Sequence, residues 1–189
     1  MTRLLLVRHA EAAGGEDVDP GLSDLGVRQT RALAARLATL RPAVILHGPR
    51  RRVAATAAIL ADALDVPADE TADLDDRTPV PSADRRGDYA AHRLPRLEAV
   101  PEDERDEDGA DLTAAWERLR SRTDGTTAVL VTHAFVVSWF VTVALGAPVA
   151  TWMRLPVANG GLTVLARGGA DGLVLESFND VGHLPAETI

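Results

Sequence analysis

The sequence contains no cysteine. That one absence removes disulfides, thiolate metal sites and thiol nucleophiles together. It fits a reducing compartment, and a cytoplasmic location is the expectation. Lysine is absent as well, so all 20 basic side chains are arginine. Any anion site must therefore be assembled from Arg, His and backbone N–H groups. No apolar run approaches the roughly 18 residues that a membrane-spanning helix needs. The short apolar run after Met1 and Arg3 does not read as a signal peptide. A basic surplus is missing too: the formal net charge is -8, which disfavours nonspecific binding to nucleic acid or to an anionic membrane. Neither kind of partner is expected, and composition leaves the oligomeric state open. The histidines lack HxH or HExxH spacing, so no metal site is expected. No segment repeats at a fixed period.

What is present reads as an ordinary soluble chain. It has 189 residues, 46% of them hydrophobic and 25% charged, which predicts one domain over residues 1–189 with a sizeable core. The run Leu4-Leu5-Leu6-Val7 is short, apolar and bounded by polar residues, as in a strand buried on both faces. A polar, Gly-rich loop follows at residues 13–22. Ser23 is a candidate N-cap with Asp24 in the first turn, and Leu25, Leu33, Leu37 and Leu40 share one helical face before Pro42. Residues 43–47 predict a second buried strand, and residues 50–64 a second helix. Residues 68–111 carry many charges and little periodicity, and are expected as an inserted loop or cap lying over the sheet. Its acidic stretch, residues 101–111, reads as a solvated loop. Residues 112–122 resume a helix, and residues 127–132 make a third strong strand, followed by an apolar helix through Leu145 that reads as core. Two last strands are expected near 162–166 and 173–179, joined by a hairpin-type turn. The early β–α–β–α order predicts an α/β fold with three layers, α/β/α, around a mostly parallel central sheet. The last two strands predict an antiparallel edge.

Two segments share one plan. "LLLVRHA" and "AVLVTHA" are both an apolar run, a polar residue, His and Ala. If the strands are parallel neighbours, His9 and His133 emerge on the same sheet edge, where open α/β sheets bind ligands. The strand at 43–47 delivers Arg50, Arg51 and Arg52 to the start of a helix, a place that already favours anions. Arg8, His9, one Arg from 50–52 and His133 then form a phosphate site, with planar guanidinium donors suited to phosphate oxygens. The same clustered cations would repel a divalent metal.

These residues resemble the histidine phosphatase superfamily, in its phosphoglycerate-mutase-like branch. Arg8-His9-Ala10-Glu11 matches an Arg-His-Gly motif. Leu22-Ser23-Asp24-Leu25-Gly26-Val27-Arg28-Gln29 matches a Leu-Ser/Thr-x-x-Gly-x-x-Gln helix start. Gly48-Pro49-Arg50-Arg51-Arg52-Val53-Ala54-Ala55-Thr56-Ala57 loosely matches Ser-Pro-x-x-Arg-Ala-x-Gln-Thr-Ala. Val131-Thr132-His133 supplies a second histidine on a late strand. Ala10, Gly48 and Ala55 stand where the family has Gly, Ser and Gln, and the Gly48 replacement removes a hydroxyl.

The resemblance implies a metal-independent phosphatase of the histidine acid phosphatase type, acting on a small phosphorylated substrate with no cofactor. His9 would be the nucleophile that becomes phosphohistidine. Arg8, Arg52 and His133 would hold the peripheral oxygens, with His133 cationic when the anion is bound. Arg51 replaces Arg52 if the alignment slips by one. In Leu74-Asp75-Asp76-Arg77, Asp76 matches the family's proton donor, with Asp75 the alternative. Glu11 and Ser23 are candidate substrate-binding residues, with loop and capping roles as the alternatives. His47, His92 and His183 read as structural or exposed, and the segment around His183 as a plain terminal stretch. The other activities considered are a cofactor-dependent phosphoglycerate mutase and an inactive phosphate-binding module.

Overall fold

Leu4, Leu5, Leu6 and Val7 are completely buried, so the first strand is covered on both faces, as its unbroken apolar run requires. The computed structural model describes residues 2–15, 18–167 and 172–184. In chain order the elements are β1 (Arg3–Arg8), α1 (Asp24–Ala38), β2 (Val44–His47), α2 (Arg51–Leu64), β3 (Ala68–Glu70), β4 (Thr78–Val80), α3 (Leu94–Glu98), β5 (Arg105–Glu107), α4 (Ala110–Arg122), β6 (Thr127–Thr132), α5 (Ala134–Ala144), β7 (Leu162–Arg167) and β8 (Leu173–Asp180), with short 3-10 turns between some of them.

Six strands form the main sheet in the order β3-β2-β6-β1-β7-β8. The β3, β2, β6 and β1 strands are mutually parallel. β7 and β8 complete an antiparallel edge. Alternation along each strand splits the core in two. Leu4 and Leu6, Leu46, Ala128 and Leu130 face one side. Leu5 and Val7, Ile45, Val129 and Val131 face the other. The second side is closed by Leu33 and Leu37 of α1 and by Val53, Ala57 and Leu60 of α2. The first is closed by Leu112, Trp116 and Leu119 of α4 and by α5, which is buried continuously from Val136 to Thr142. This is the three-layer α/β/α architecture expected from the element order.

Local chemistry explains the helix starts. Ser23 caps α1 by accepting from the Gly26 N–H at 2.9 Å. Leu33 and Leu37 lie on the buried face as expected, whereas Leu25 is half-buried and Leu40 falls beyond the helix end. Position 26 must be glycine, because a Cβ there would lie 2.1 Å from the Glu11 carbonyl oxygen. Pro67 follows α2, whose C-cap is Asp65 in a left-handed conformation.

The region expected as an insertion over 68–111 is built differently at both ends. Ala68–Glu70 is an edge strand of the main sheet, paired in parallel with β2. All three residues are exposed, so no apolar pattern announces a strand. The remainder holds α3 and a two-stranded parallel pairing of β4 with β5. The acidic stretch is not wholly solvated. Asp106 is 3% exposed and its carboxylate accepts from the backbone N–H groups of Asp111 and Leu112 at 3.0 and 2.9 Å. It caps α4, which begins at a left-handed Gly109 with no side-chain cap of its own. The expected hairpin turn between β7 and β8 falls largely outside the described residues.

Candidate active site

The parallel pairing of β1 with β6 sets Arg8 opposite Thr132, so the next residue on each strand is a histidine. The ladder continues past the register pair, with the His9 N–H donating to the Thr132 carbonyl at 2.8 Å. The His9 and His133 rings meet edge to face, with centroids 5.2 Å apart. Arg52 comes from the first turn of α2 and Asp76 from the segment after Leu74, a fully buried anchor. Four residues that are scattered in sequence thus meet at the carboxyl ends of the parallel strands.

His9 is 7% exposed. Its Nδ1 lies 2.7 Å from the carbonyl oxygen of Ala10. A carbonyl only accepts, so Nδ1 carries the proton and Nε2 carries the lone pair. The Arg52 Nε–H donates to that Nε2 at 3.3 Å, which fits the same tautomer. Burial, with Arg8 and Arg52 nearby, pushes the imidazole down to about 4 despite the Ala10 bond. At neutral pH His9 is neutral and nucleophilic at Nε2. Its backbone is fixed from a distance: the Asn159 side chain donates to the His9 carbonyl at 3.0 Å, and the Gly160 N–H reaches both the Arg8 and the His9 carbonyls.

His133 has another environment. Its Nδ1 is 3.1 Å from Asp76 Oδ2, and its buried Nε2 has no partner among the described residues. Burial first, then the charges of the histidine and arginines around it, push this imidazole down to about 2. Asp76 moves the other way, to about 6. Burial is the main cause and Glu104 adds to it, against the opposing pull of Arg52 and Arg50.

The guanidiniums complete the site. Arg8 donates through Nη1 to the Val157 carbonyl at 2.7 Å, while its Nε is buried with no partner among the described residues. Arg52 reaches His9 through Nε, Asp76 through Nη2 at 3.0 Å and Asp19 through Nη1 at 3.3 Å. Of the three consecutive arginines, Arg52 is the one that touches His9. Arg50 pairs with Asp75 at 3.1 Å, and the Arg51 N–H donates to Asp19. Asp75 also accepts from the Asp76 N–H at 2.8 Å. The geometry therefore separates the two aspartates: Asp75 braces the loop and Asp76 faces the histidines.

The hydrogen bonds that Glu11 and Ser23 make are those of the capping alternative. The Ser23 hydroxyl donates to Glu11 Oε1 at 2.8 Å while accepting from Gly26, and the Ser23 N–H donates to the Glu11 carbonyl at 3.0 Å. The pair joins the end of β1 to α1. The motif residues are present, with the Ser23 hydroxyl and Glu11 Oε1 engaged in this cap. Gly48 also has a structural reason: a Cβ there would lie 2.2 Å from the Leu74 carbonyl oxygen, so this backbone excludes the family's serine. The stretch around His183 folds back behind the site, with Nε2 3.0 Å from the Gly160 carbonyl.

Three supporting residues escaped the sequence reading. Asp19 closes on Arg52 from the Gly-rich loop. Asn159 holds the His9 carbonyl. Thr56 accepts from the Ala10 N–H at 3.2 Å and donates to the Arg52 carbonyl at 2.8 Å, tying β1 to α2. Only Thr56 had a signal, its place in the third motif. A roomy cavity of about 440 Å³ lies elsewhere, at the opposite end of β1 beside Thr2, Arg120, Asp124 and Arg167. Its charges pair among themselves, Arg167 with Asp124 at 3.0 Å and Arg120 with Glu117 at 3.1 Å.

Comparison with known proteins gives the family and the fold. The mitochondrial serine/threonine-protein phosphatase PGAM5 of Xenopus laevis is 27% identical over 196 residues, covering 98% of this chain and 68% of the relative. Its counterpart from Rattus norvegicus is 28% identical over 202 residues, covering 98% of this chain and 65% of the relative. Among solved structures, mycobacterial glucosyl-3-phosphoglycerate phosphatase with inorganic phosphate superposes with a TM-score of 0.74 at 22% identity, covering 98% of this chain and 100% of that one. An Entamoeba histolytica phosphoserine phosphatase variant bound to phosphoserine gives 0.68 at 20% identity, covering 98% and 100%. At these identities the structures establish a shared fold. The family model for the histidine phosphatase superfamily (branch 1) matches residues 4–181, and the chain belongs to that superfamily, in its phosphoglycerate-mutase-like branch.

Proposed function

We propose that the protein hydrolyses phosphomonoesters through a phosphohistidine formed on Nε2 of His9, with no metal ion taking part. The observation that carries this reading is the tautomer of His9. Its Nδ1 proton is committed to the Ala10 carbonyl, which leaves the Nε2 lone pair directed at the guanidinium of Arg52. Two buried nitrogens beside it, Arg8 Nε and His133 Nε2, lack protein partners among the described residues. Buried polar groups are normally satisfied, and phosphate oxygens would satisfy these.

In the first step Nε2 attacks phosphorus and the bond from phosphorus to the alkoxy oxygen breaks. Asp76, raised to about 6, hands its proton to the departing oxygen. Arg8, Arg52 and a protonated His133 hold the three peripheral oxygens through the transition state. In the second step the ionised Asp76 takes a proton from water. The water oxygen bonds to phosphorus, the P–N bond breaks, and phosphate leaves His9 neutral again. The named activities of the relatives support the class: a serine/threonine-protein phosphatase, a glucosyl-3-phosphoglycerate phosphatase and a phosphoserine phosphatase all act on phosphate esters.

The test is to mix the protein with an aryl phosphate in chelator, quench, and map acid-labile phosphate by mass spectrometry. Phosphate on His9, with turnover indifferent to chelator, is the expected result. Neither phosphoenzyme nor turnover across a broad panel of phosphate esters would overturn the reading in favour of a phosphate-binding module.

A further inference from the structure

The segment that carries Asp76 is docked on the ends of two strands. At the end of β2, the His47 carbonyl accepts from the Thr71 N–H at 2.8 Å. At the end of β6, the Thr132 hydroxyl donates to the Leu74 carbonyl at 2.8 Å. Leu74 and Thr132 are both completely buried. Between the two anchors the chain makes one short 3-10 turn, Ala72–Leu74. The depth of Leu74 therefore sets where Asp76 emerges, two residues on. Asp76 then meets both partners through a single oxygen: Oδ2 lies 3.0 Å from Arg52 Nη2 and 3.1 Å from His133 Nδ1. An aspartate has one methylene with which to reach, so its carboxylate is placed by the backbone beneath it.

That depth is available only because residue 48 has no side chain. A Cβ at Gly48 would lie 2.2 Å from the Leu74 carbonyl oxygen and 2.8 Å from its carbon. Ordinary contact begins at 3.4 Å, so the segment would have to withdraw by about 1.2 Å. The strand cannot give way instead. β2 is paired on both sides, with β3 and with β6, and the Gly48 N–H extends the ladder to the Val131 carbonyl at 3.2 Å. Gly48 and Thr132 thus act on one atom from two strands: the first leaves room for the Leu74 carbonyl and the second draws it in.

We propose that Gly48 is a positioning residue for the proton donor: with Thr132 it sets the depth of Leu74, and so matches the backbone to the reach of an aspartate at position 76. This rests on the phosphatase reading above, in which Asp76 protonates the leaving oxygen. It makes the right acid conditional on residue 48. With glycine there, an aspartate carboxylate arrives at Arg52 and His133, and a glutamate overshoots by one carbon–carbon bond, about 1.5 Å. With alanine there, the aspartate falls short by a similar length, and a glutamate makes up the difference.

The test compares wild type, Gly48→Ala, Asp76→Glu and the double variant, each on an alkyl phosphate and on an aryl phosphate with a good leaving group. Gly48→Ala should lower alkyl phosphate turnover about 10²-fold, the scale of a misplacement near 1 Å. Aryl phosphate turnover should fall far less, because that leaving group departs without a proton. Asp76→Glu alone should lower alkyl turnover about tenfold, and the double variant should exceed Gly48→Ala by about tenfold. The same glutamate then harms one background and helps the other. If Gly48 is merely structural, both substrates suffer together and the glutamate is equally harmful in both backgrounds; that result overturns the proposal. Should Gly48→Ala fail to fold, Thr132→Val replaces it. This change removes the hydroxyl that draws Leu74 in, and the glutamate should be less harmful there than in wild type; equal harm overturns the proposal. Labelling of His9 by the aryl phosphate separates the two readings. A labelled wild type whose variants show no such reversal overturns the role of Gly48 and leaves the phosphatase reading standing. A wild type with no label and no turnover overturns both.

Discussion

His9 and His133 leave neighbouring parallel strands one residue past the same register pair, and the fold treats them differently. On His9 both ring nitrogens are engaged, Nδ1 as donor to Ala10 and Nε2 as acceptor from Arg52. On His133 only Nδ1 is engaged, with Asp76, and Nε2 is left bare. The first arrangement fixes a lone pair in place. The second offers a nitrogen that can take a proton when an anion arrives and balances the charge. Equal secondary structure thus yields unequal chemistry, because the partner on the far side of each ring differs: a carbonyl in one case, a carboxylate in the other.

The largest test of that contrast is to remove each ring. His9→Ala should abolish phosphoenzyme and lower kcat by about 10⁴-fold or more, because the bond-forming atom is gone. His133→Ala should cost about 10² to 10³-fold, the usual loss for one charge-stabilising donor, while phosphate still appears on His9. Rapid-quench labelling of both variants decides it. If the His133 variant were the one that could no longer be labelled, the roles would be reversed.

Asp76→Asn comes next. Turnover of alkyl phosphates should fall about 10²-fold or more, while aryl phosphates with good leaving groups lose far less. The same change should alter stability in a pH-dependent way. The Asp76 carboxyl rises from 3.8 to about 6 in the fold. Its contribution is therefore intact below the unfolded value and is lost as pH rises through 6. By pH 8 the loss amounts to about 3 kcal/mol. The Asn variant lacks it, so its melting temperature relative to wild type should be higher at pH 8 than at pH 4. A difference independent of pH would mean that Asp76 is not perturbed.

A smaller effect concerns protons. His133 is neutral in the ligand-free site, where it lies near 2. A bound phosphate dianion favours the imidazolium. Binding at pH 8 should therefore take up as much as one proton, and affinity should weaken as pH rises. Calorimetry in two buffers of different ionisation heat measures this, and a buffer-independent heat would contradict it. Smallest of all, Asp19→Asn removes a half-buried carboxylate that competes for Arg52 Nη1. Phosphate affinity should tighten by only a few-fold, the scale of a partly exposed ion pair. A weaker affinity would mean that Asp19 orients Arg52 and does not oppose the ligand.

The central elements were legible because their signals are strong and local. Apolar runs ending in histidine mark β1 and β6, and their parallel pairing follows from the helices between them. Asp76 was legible as the acid two residues beyond Leu74. What the sequence concealed depends on long-range meetings. Asp19 reaches Arg52 across 33 residues and Asn159 reaches His9 across 150, and neither sits in a periodic pattern. The Ala68–Glu70 strand has Ala68 as its one apolar residue, and it lies exposed at an edge. Buried Asp106 looked like one more charge in an acidic run until its two N–H donors were visible. Glu11 and Ser23 had two readings, pocket and cap, and the hydrogen bonds they make serve a helix end.

The register of β1 against β6 has a practical consequence for engineering. Parallel neighbours are held about 4.8 Å apart by their backbone bonds, and the two rings, 5.2 Å between centroids, inherit that interval. The spacing of the two rings is thus set by the sheet, whereas Asp19 and Asp76, which hold Arg52 and face His133, come from the surrounding segments. Loop 13–22 and the stretch between β3 and α4 can be exchanged for those of a relative while the two rings keep their separation. Chimeras built at those two seams that keep Asp19 and Asp76 should change what is accepted without retuning where the phosphorus sits.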